Sequence, residues 1–367
     1  MNLSDFDYFL PPELIAQEPA SPRDRSRLMV LDRKSGKIFH DRFSNFPGHL
    51  RPGDTVILND TKVRPVRLQG QKESGGKVEV LLVRRRDGDS SNPDPFPSAG
   101  EETGEWYCLI QNAGKLRPPA VLLFPEEVRG EVLERTANGF WVLRLRGQKG
   151  LEGALSRIGY PPLPPYIRRR GREDLRERDW DRYQTVYARA PGAIAAPTAG
   201  LHFTKEVLDN IRLREARISF LTLHVGVGTF LPVKAERVEN HRLEAEAFDL
   251  SAETAAAVNE ARGSGGRVVA VGTTVVRTLE YLSDESGQVK PSNGKTGLFI
   301  LPGYKFKAVD AMITNFHLPR STLLMLVCAF AGREEILAAY GEAVKERYRF
   351  YSYGDAMLIT SGMPLIA

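Results

Sequence analysis

Two histidines, His202 and His224, sit in segments nearly free of charge: 193–204 reads AIAAPTAGLHFT and 218–230 reads ISFLTLHVGVGTF. An imidazole titrates near neutral pH and so can take up or release a proton in catalysis. Small neighbours such as Gly200, Gly226 and Gly228 let backbone approach a bound molecule closely. The plain alternative is a pair of core histidines in tight turns. The choice depends on whether other segments converge on the same place.

Convergence is testable from the sequence, because in open α/β sheets ligands bind at the carboxyl ends of the strands. The strand-like run TVIL is followed by Asn59-Asp60-Thr61, and ISFLTL by His224, Gly226, Gly228 and Thr229. RVVAV leads into Gly272-Thr273-Thr274 and then Arg277, and AMIT into Asn315-Phe316-His317. Four apolar runs therefore end in small, polar or imidazole groups, which marks one site. The turn at 272–274 opens a helix, so its free N–H groups and hydroxyls suit a phosphate or carboxylate, with Arg277 one turn in; simple capping by Thr273 or Thr274 explains it equally. His317 between two apolar neighbours also fits a structural role, Ser321 caps the next helix, and Asp355 offers an acid or merely a turn.

The elements that must position these groups change character along the chain. Between Arg64 and Arg146, six short runs separated by Gly, Pro and polar turns read as strands of a small antiparallel β-barrel, with a polar loop at 87–104. After about residue 200, strands alternate with helices that Thr204 and Ser251 cap. That alternation predicts an α/β fold, a mainly parallel sheet with flanking helices. TVILND belongs to the same sheet, so the barrel is inserted. The expected division is an α/β catalytic domain of residues 1–63 and 150–367 and a six-stranded barrel domain of 64–149.

With 367 residues, 42% of them apolar and 26% charged, the chain has material for two cores. Its two cysteines, Cys108 and Cys328, exclude a disulfide framework or a cysteine metal site. The acidic, proline-broken amino terminus is unlike a signal peptide, and the longest apolar run, 323–331, is too short to cross a bilayer, so a cytoplasmic protein is expected. The net charge of +5 is concentrated in arginine clusters at 84–86 and at Arg168, Arg169, Arg170, Arg172, Arg176 and Arg178. Such clusters can neutralise RNA phosphates, although Glu173, Asp174, Glu177 and Asp179 interleave with the second and also suit a solvated linker. No glycine pattern for a dinucleotide or Walker site occurs, and the histidine spacings give no support to a metal.

Together the segments FDYFLPPELIAQEP, LRPGDTVILNDTKV, APTAGLHFT, LHVGVGTFLPV, RVVAVGTTVVRTLE, TNFHLPRSTLLMLVCAF and YRFYSYGDAML resemble the S-adenosylmethionine:tRNA ribosyltransferase-isomerase family of queuosine biosynthesis over essentially the whole chain. The resemblance implies that the ribosyl part of S-adenosylmethionine is transferred to the aminomethyl group of a 7-deazaguanine at the tRNA wobble position. Epoxyqueuosine-tRNA forms, and adenine and methionine leave. It implies tRNA and S-adenosylmethionine as partners, no cofactor, no membrane and a monomer. His202 and His224 then share the acid–base work, with Glu246 or Asp355 as alternatives. Thr198, Gly226, Gly228, Thr229, Thr273, Thr274, Arg277, Asn315 and His317 line the substrate site, and Arg168, Arg169, Arg170 and Arg172 meet tRNA. The chain departs from the family pattern at Glu244-Ala245, where a histidine and a serine are usual, at Tyr160, and at Val275.

Overall fold

The computed structural model describes residues 1–86, 94–114, 116–169, 172–230, 233 and 235–362. Strands β1 (Arg27–Asp32), β2 (Ile38–Arg42), β3 (Thr55–Asn59) and β4 (Thr61–Val63) come first. Six strands then close an antiparallel barrel: β5 (Arg67–Lys72), β6 (Lys77–Arg85), β7 (Thr103–Gln111), β8 (Ala120–Leu123), β9 (Arg129–Arg135) and β10 (Trp141–Arg146), in the order β10-β7-β6-β5-β8-β9. Side chains alternate across each strand, so Val78, Val80 and Leu82 of β6 pack inward against Trp106 and Cys108 of β7. Of the predicted loop at 87–104, residues 87–93 lie outside the described residues, and 103–104 already belong to β7.

Beyond the barrel come α1 (Leu151–Ile158), α2 (Arg176–Arg182), β11 (Ala190–Ala193), α3 (Lys205–Leu213), β12 (Arg217–Leu223), β13 (Glu246–Leu250), α4 (Ala252–Gly263), β14 (Val268–Val271) and α5 (Thr273–Leu282). The chain ends through β15 (Ser292–Thr296), β16 (Ala311–Asn315), α6 (Thr322–Ala331), α7 (Arg333–Lys345) and β17 (Ala356–Thr360). The predicted caps are in place: Thr204, Ser251 and Ser321 accept from the backbone N–H groups of Val207, Thr254 and Leu324. Strand β11 returns from the barrel to pair, parallel, with β4, so the two make a ribbon at the barrel's base.

Nine strands form the main sheet, ordered β15-β13-β12-β3-β14-β16-β17-β1-β2. It is mixed. Its centre, β12-β3-β14-β16, is parallel, as the alternation of strands and helices requires. The connection from β16 runs through two helices, and the second reverses the chain again, so β17 lies antiparallel to β16. The final strand is also shorter than predicted, because 351–354 forms a turn before β17.

Both faces of the sheet are covered, which is why β3, β14 and β16 are buried at every position and carry apolar residues through their middles. Met29, Leu31, Ile57 and Met312 face α4 to α7, whereas Leu28, Val30, Val56, Leu58 and Ile313 face α3 and the stacked rings of Phe43 and Phe46. The apolar helix α6 lies within the first of these layers, and among the described residues no helix is long and apolar enough to cross a membrane.

Candidate active site

The parallel register brings the carboxyl ends of β3, β12, β14 and β16 to one edge of the sheet, as their sequences predict. Asn59 ties them together. Its amide nitrogen donates to the Leu223 carbonyl at 2.9 Å and to Thr274 Oγ1 at 3.3 Å, and its oxygen accepts from the N–H groups of Thr61 and Leu223 at 3.1 Å. Asp60 accepts from the Thr222 hydroxyl at 2.6 Å and from Arg189 at 2.7 Å.

His224, the first residue after β12, is half-buried beside this edge. Its Nδ1 lies 2.8 Å from Thr61 Oγ1, and its own N–H donates to the Ala247 carbonyl. Gly192 packs against the ring. A Cβ there would stand 2.7 Å from His224 Nδ1, and φ is +145°, so the position needs glycine. Burial holds the imidazole below its ordinary pKa, against the opposing pull of Asp94, Asp60 and Asp249.

The His224 side chain opens into a cleft of about 290 Å³ between barrel and sheet edge. One wall is the loop 224–228; others come from 243–247, from Arg277 and from Leu298, Phe299 and Ile300, while 84–86 of the barrel close the rim. Glu246 and Arg277 are paired in this wall. Glu246 Oε2 accepts from Arg277 Nη1 at 2.5 Å, and Oε1 accepts from the Gly226 N–H at 2.9 Å. Arg277 also donates through Nε to the Leu298 carbonyl at 3.0 Å.

This pairing corrects one expectation. Thr273 is buried and Thr274 is bonded to Asn59; neither lines the cleft, and the Arg277 guanidinium serves Glu246 and backbone carbonyls, not an anion at the turn. The spacing from turn to arginine was legible, but not the carboxylate that neutralises it.

His202, Asn315, His317 and Asp355 are buried away from the cleft. His202 is buried against the Phe43 ring, with Nδ1 2.8 Å from Ser26 Oγ and Nε2 3.1 Å from Asn315 Nδ2. Asn315 Nδ2 also donates to the Tyr351 carbonyl, and its Oδ1 accepts from Thr198 Oγ1, which fixes the amide's orientation. His202 Nε2 is therefore an acceptor, and its proton sits on Nδ1, donated to Ser26. Burial lowers its pKa to about 4. His317 is likewise enclosed, 2.7 Å from Thr314 Oγ1, with its pKa lowered to about 3 by burial. Asp355 is fully engaged by Arg349 and by the N–H groups of Arg27 and Arg349. None of these residues lines the cleft. His224, Gly226, Gly228, Glu246 and Arg277 do.

The arginine stretch divides in the same way. Arg169 is bonded to buried Asp179 at 2.7 Å and to the Gln17 carbonyl, Arg176 caps the Gly159 carbonyl, and Arg178 pairs with Glu18. The Arg169 guanidinium is thus taken up by an internal ion pair, and the side chain is only 8% exposed. Arg168 is exposed, and Arg172 is exposed beside Asp174. Arg170 and the side chain of Thr229 lie outside the described residues. In the barrel cluster, Arg85 pairs with Glu101 and Arg86 with Glu105 and Glu134, whereas Arg84 lies over the Tyr107 ring with no carboxylate partner among the described residues. Sequence reasoning missed Thr61 and Asn59 as the groups that hold the histidine loop, although both stand at a strand end.

The profile of a family described as "Queuosine biosynthesis protein" matches residues 3–359. A Geobacter sulfurreducens protein named S-adenosylmethionine:tRNA ribosyltransferase-isomerase is 51% identical over 359 residues, which cover 98% of this chain and all of the relative. A Symbiobacterium thermophilum protein of the same name is 51% identical over 361 residues, with the same coverage. A crystal structure of the S-adenosylmethionine tRNA ribosyltransferase of Thermotoga maritima superposes with a TM-score of 0.53 at 38% identity, covering 97% of this chain and all of that one. The chain belongs to the S-adenosylmethionine:tRNA ribosyltransferase-isomerase family of queuosine biosynthesis.

Proposed function

We propose that this chain transfers and isomerises the ribosyl moiety of S-adenosylmethionine onto the aminomethyl group of 7-aminomethyl-7-deazaguanine at the tRNA wobble position. The products are epoxyqueuosine-tRNA, adenine and methionine. S-adenosylmethionine is consumed as a substrate, and no cofactor takes part. The reading assigns 1–63 and 150–367 to the catalytic domain and 64–149 to the inserted barrel domain of a cytoplasmic enzyme.

The observation that carries it is the His224 cleft, which puts one neutral, partly accessible imidazole beside a glycine loop. The donor's sulfonium acidifies the adjacent ribose carbon, so a base held there starts the reaction without a metal or cofactor. His224 is that base in this reading, with Thr61 fixing its ring. The acid–base work thus falls to one histidine of the cleft, and His202 holds the segment 198–202 to Ser26, just before β1, and to Asn315 of β16. Glu246 positions the 224–228 loop. Arg84 at the rim offers its charge to an anionic group of either substrate.

The test is adenine release from S-adenosylmethionine with and without tRNA carrying the deazaguanine precursor. Release that depends on that tRNA supports the reading, and its absence overturns it. A methyl-labelled donor separates this reaction from methyl transfer, because the label must leave with methionine.

A further inference from the structure

The ribbon of β4 and β11 has two faces. On one, Thr61 and Gly192 hold the His224 ring. Side chains alternate along a strand, so the neighbours Lys62 and Pro191, paired across the ribbon, line a second concavity of about 430 Å³. Trp180 of α2 forms its wall, together with Gln184, Arg64 and Arg189.

The chemistry of this pocket is specific. Trp180 is half-buried and presents an indole at the end of the arginine-rich stretch. Gln184 is fixed in place, its Oε1 accepting from the Val63 N–H at 3.0 Å. Lys62 is exposed and has no carboxylate partner among the described residues. The Arg189 side chain is 76% exposed even though it is bonded to Asp60. Arg64 is paired with Asp94, so Lys62 is the wall's cation without a carboxylate partner among the described residues. An aromatic face beside such a cation is the arrangement that takes a single-stranded nucleotide, with its base on the ring and its phosphate on the cation.

We propose that the Trp180 pocket holds an unpaired nucleotide of the RNA substrate next to the one modified in the His224 cleft, its base stacked on the indole and its phosphate against Lys62. The inference rests on the reading of the substrate as tRNA. It places the RNA strand over the ribbon, from the exposed Arg168 and Arg172 side to the cleft.

Intrinsic fluorescence reads this pocket directly. Of the three tryptophans, Trp106 is fully buried and Trp141 is 7% exposed, so Trp180 is the one a ligand can reach. Titrating the full chain with an anticodon stem-loop RNA is expected to quench emission saturably, and Trp180→Phe should abolish the quench while keeping part of the affinity. Trp180→Ala should weaken RNA binding about tenfold or more, with the Michaelis constant for S-adenosylmethionine unchanged. Lys62→Glu, at an exposed site, should weaken RNA binding without touching the fold. Quenching that survives in Trp180→Phe, unchanged RNA affinity in Trp180→Ala and Lys62→Glu, or equal quenching by free AMP would overturn the assignment. The two readings fail separately. RNA quenching through Trp180 without tRNA-dependent adenine release removes the proposed reaction alone. Normal release with wild-type tRNA affinity in Trp180→Ala removes the pocket alone.

Discussion

Glu246 on β13 and Arg277 on α5 meet at 2.5 Å with less than a tenth of either side chain exposed. The other carboxylate oxygen accepts from the Gly226 N–H, so strand, helix and glycine loop are locked at one point of the cleft wall. Removing one partner of a buried pair leaves an uncompensated charge, a loss of about 3–5 kcal/mol. Arg277→Met is expected to lower the urea midpoint accordingly, and adding Glu246→Gln should restore part of it. A double variant as unstable as the sum of its parts would show that the two side chains act independently.

His224 should dominate the pH dependence. Its pKa is held below the ordinary 6.5 by burial, so it is neutral and able to accept a proton at pH 7. A base with a depressed pKa is active above that value and fails as pH falls through it. The acidic limb of kcat/KM is therefore expected below pH 6.5. His224→Gln should cut turnover by about 10²–10⁴ and remove that limb. A limb unchanged in the variant would assign the titration to another group.

The strand ends could be read from sequence because buried parallel strands are mainly apolar, so the polar residues Asn59, His224, Thr273 and Asn315 stand out where each strand stops. The caps at Thr204, Ser251 and Ser321 were legible for an equally local reason. What sequence could not resolve was which polar residues face each other. Glu246 and Arg277 are 31 residues apart, on different elements. The segment APTAGLHFT looks like a ligand loop because it is rich in small residues, yet Gly200 is small to admit half-buried Tyr187, whose hydroxyl would stand 2.0 Å from a Cβ there. The same residue types serve packing or ligand approach, and only the fold decides.

The arginine stretch offers a contrast between neighbours. Arg169→Ala strips buried Asp179 of its partner and is expected to lower stability by about 3–5 kcal/mol, read by thermal or urea unfolding. Arg168→Ala and Arg172→Ala should leave the midpoint within about 0.5 kcal/mol. If these exposed arginines meet phosphates, each substitution reduces the slope of log affinity for tRNA against log salt by about 1. Equal stability effects at 168 and 169 would contradict the division between them.

His202 and His317 make the fold sensitive to acid. Burial lowers their pKa values to about 4 and about 3, whereas the unfolded chain takes up these protons near 6.5. Above pH 6.5 both are neutral in either state and neither costs stability. As pH falls below 6.5 the unfolded state binds the protons first, so stability drops until the folded pKa is reached. For His202 that window runs from about 6.5 to about 4, with a slope of about 1.4 kcal/mol per pH unit within it. His202→Gln keeps an acceptor and a donor for Asn315 and Ser26 but cannot titrate. Its urea midpoint should start lower at pH 7, yet stability should fall less steeply between pH 6 and 4.5, by about 1.4 kcal/mol per unit. Parallel curves for variant and wild type would mean that His202 is not held neutral in the folded protein, and the Ser26–His202–Asn315 network would then need a charged imidazole at its centre.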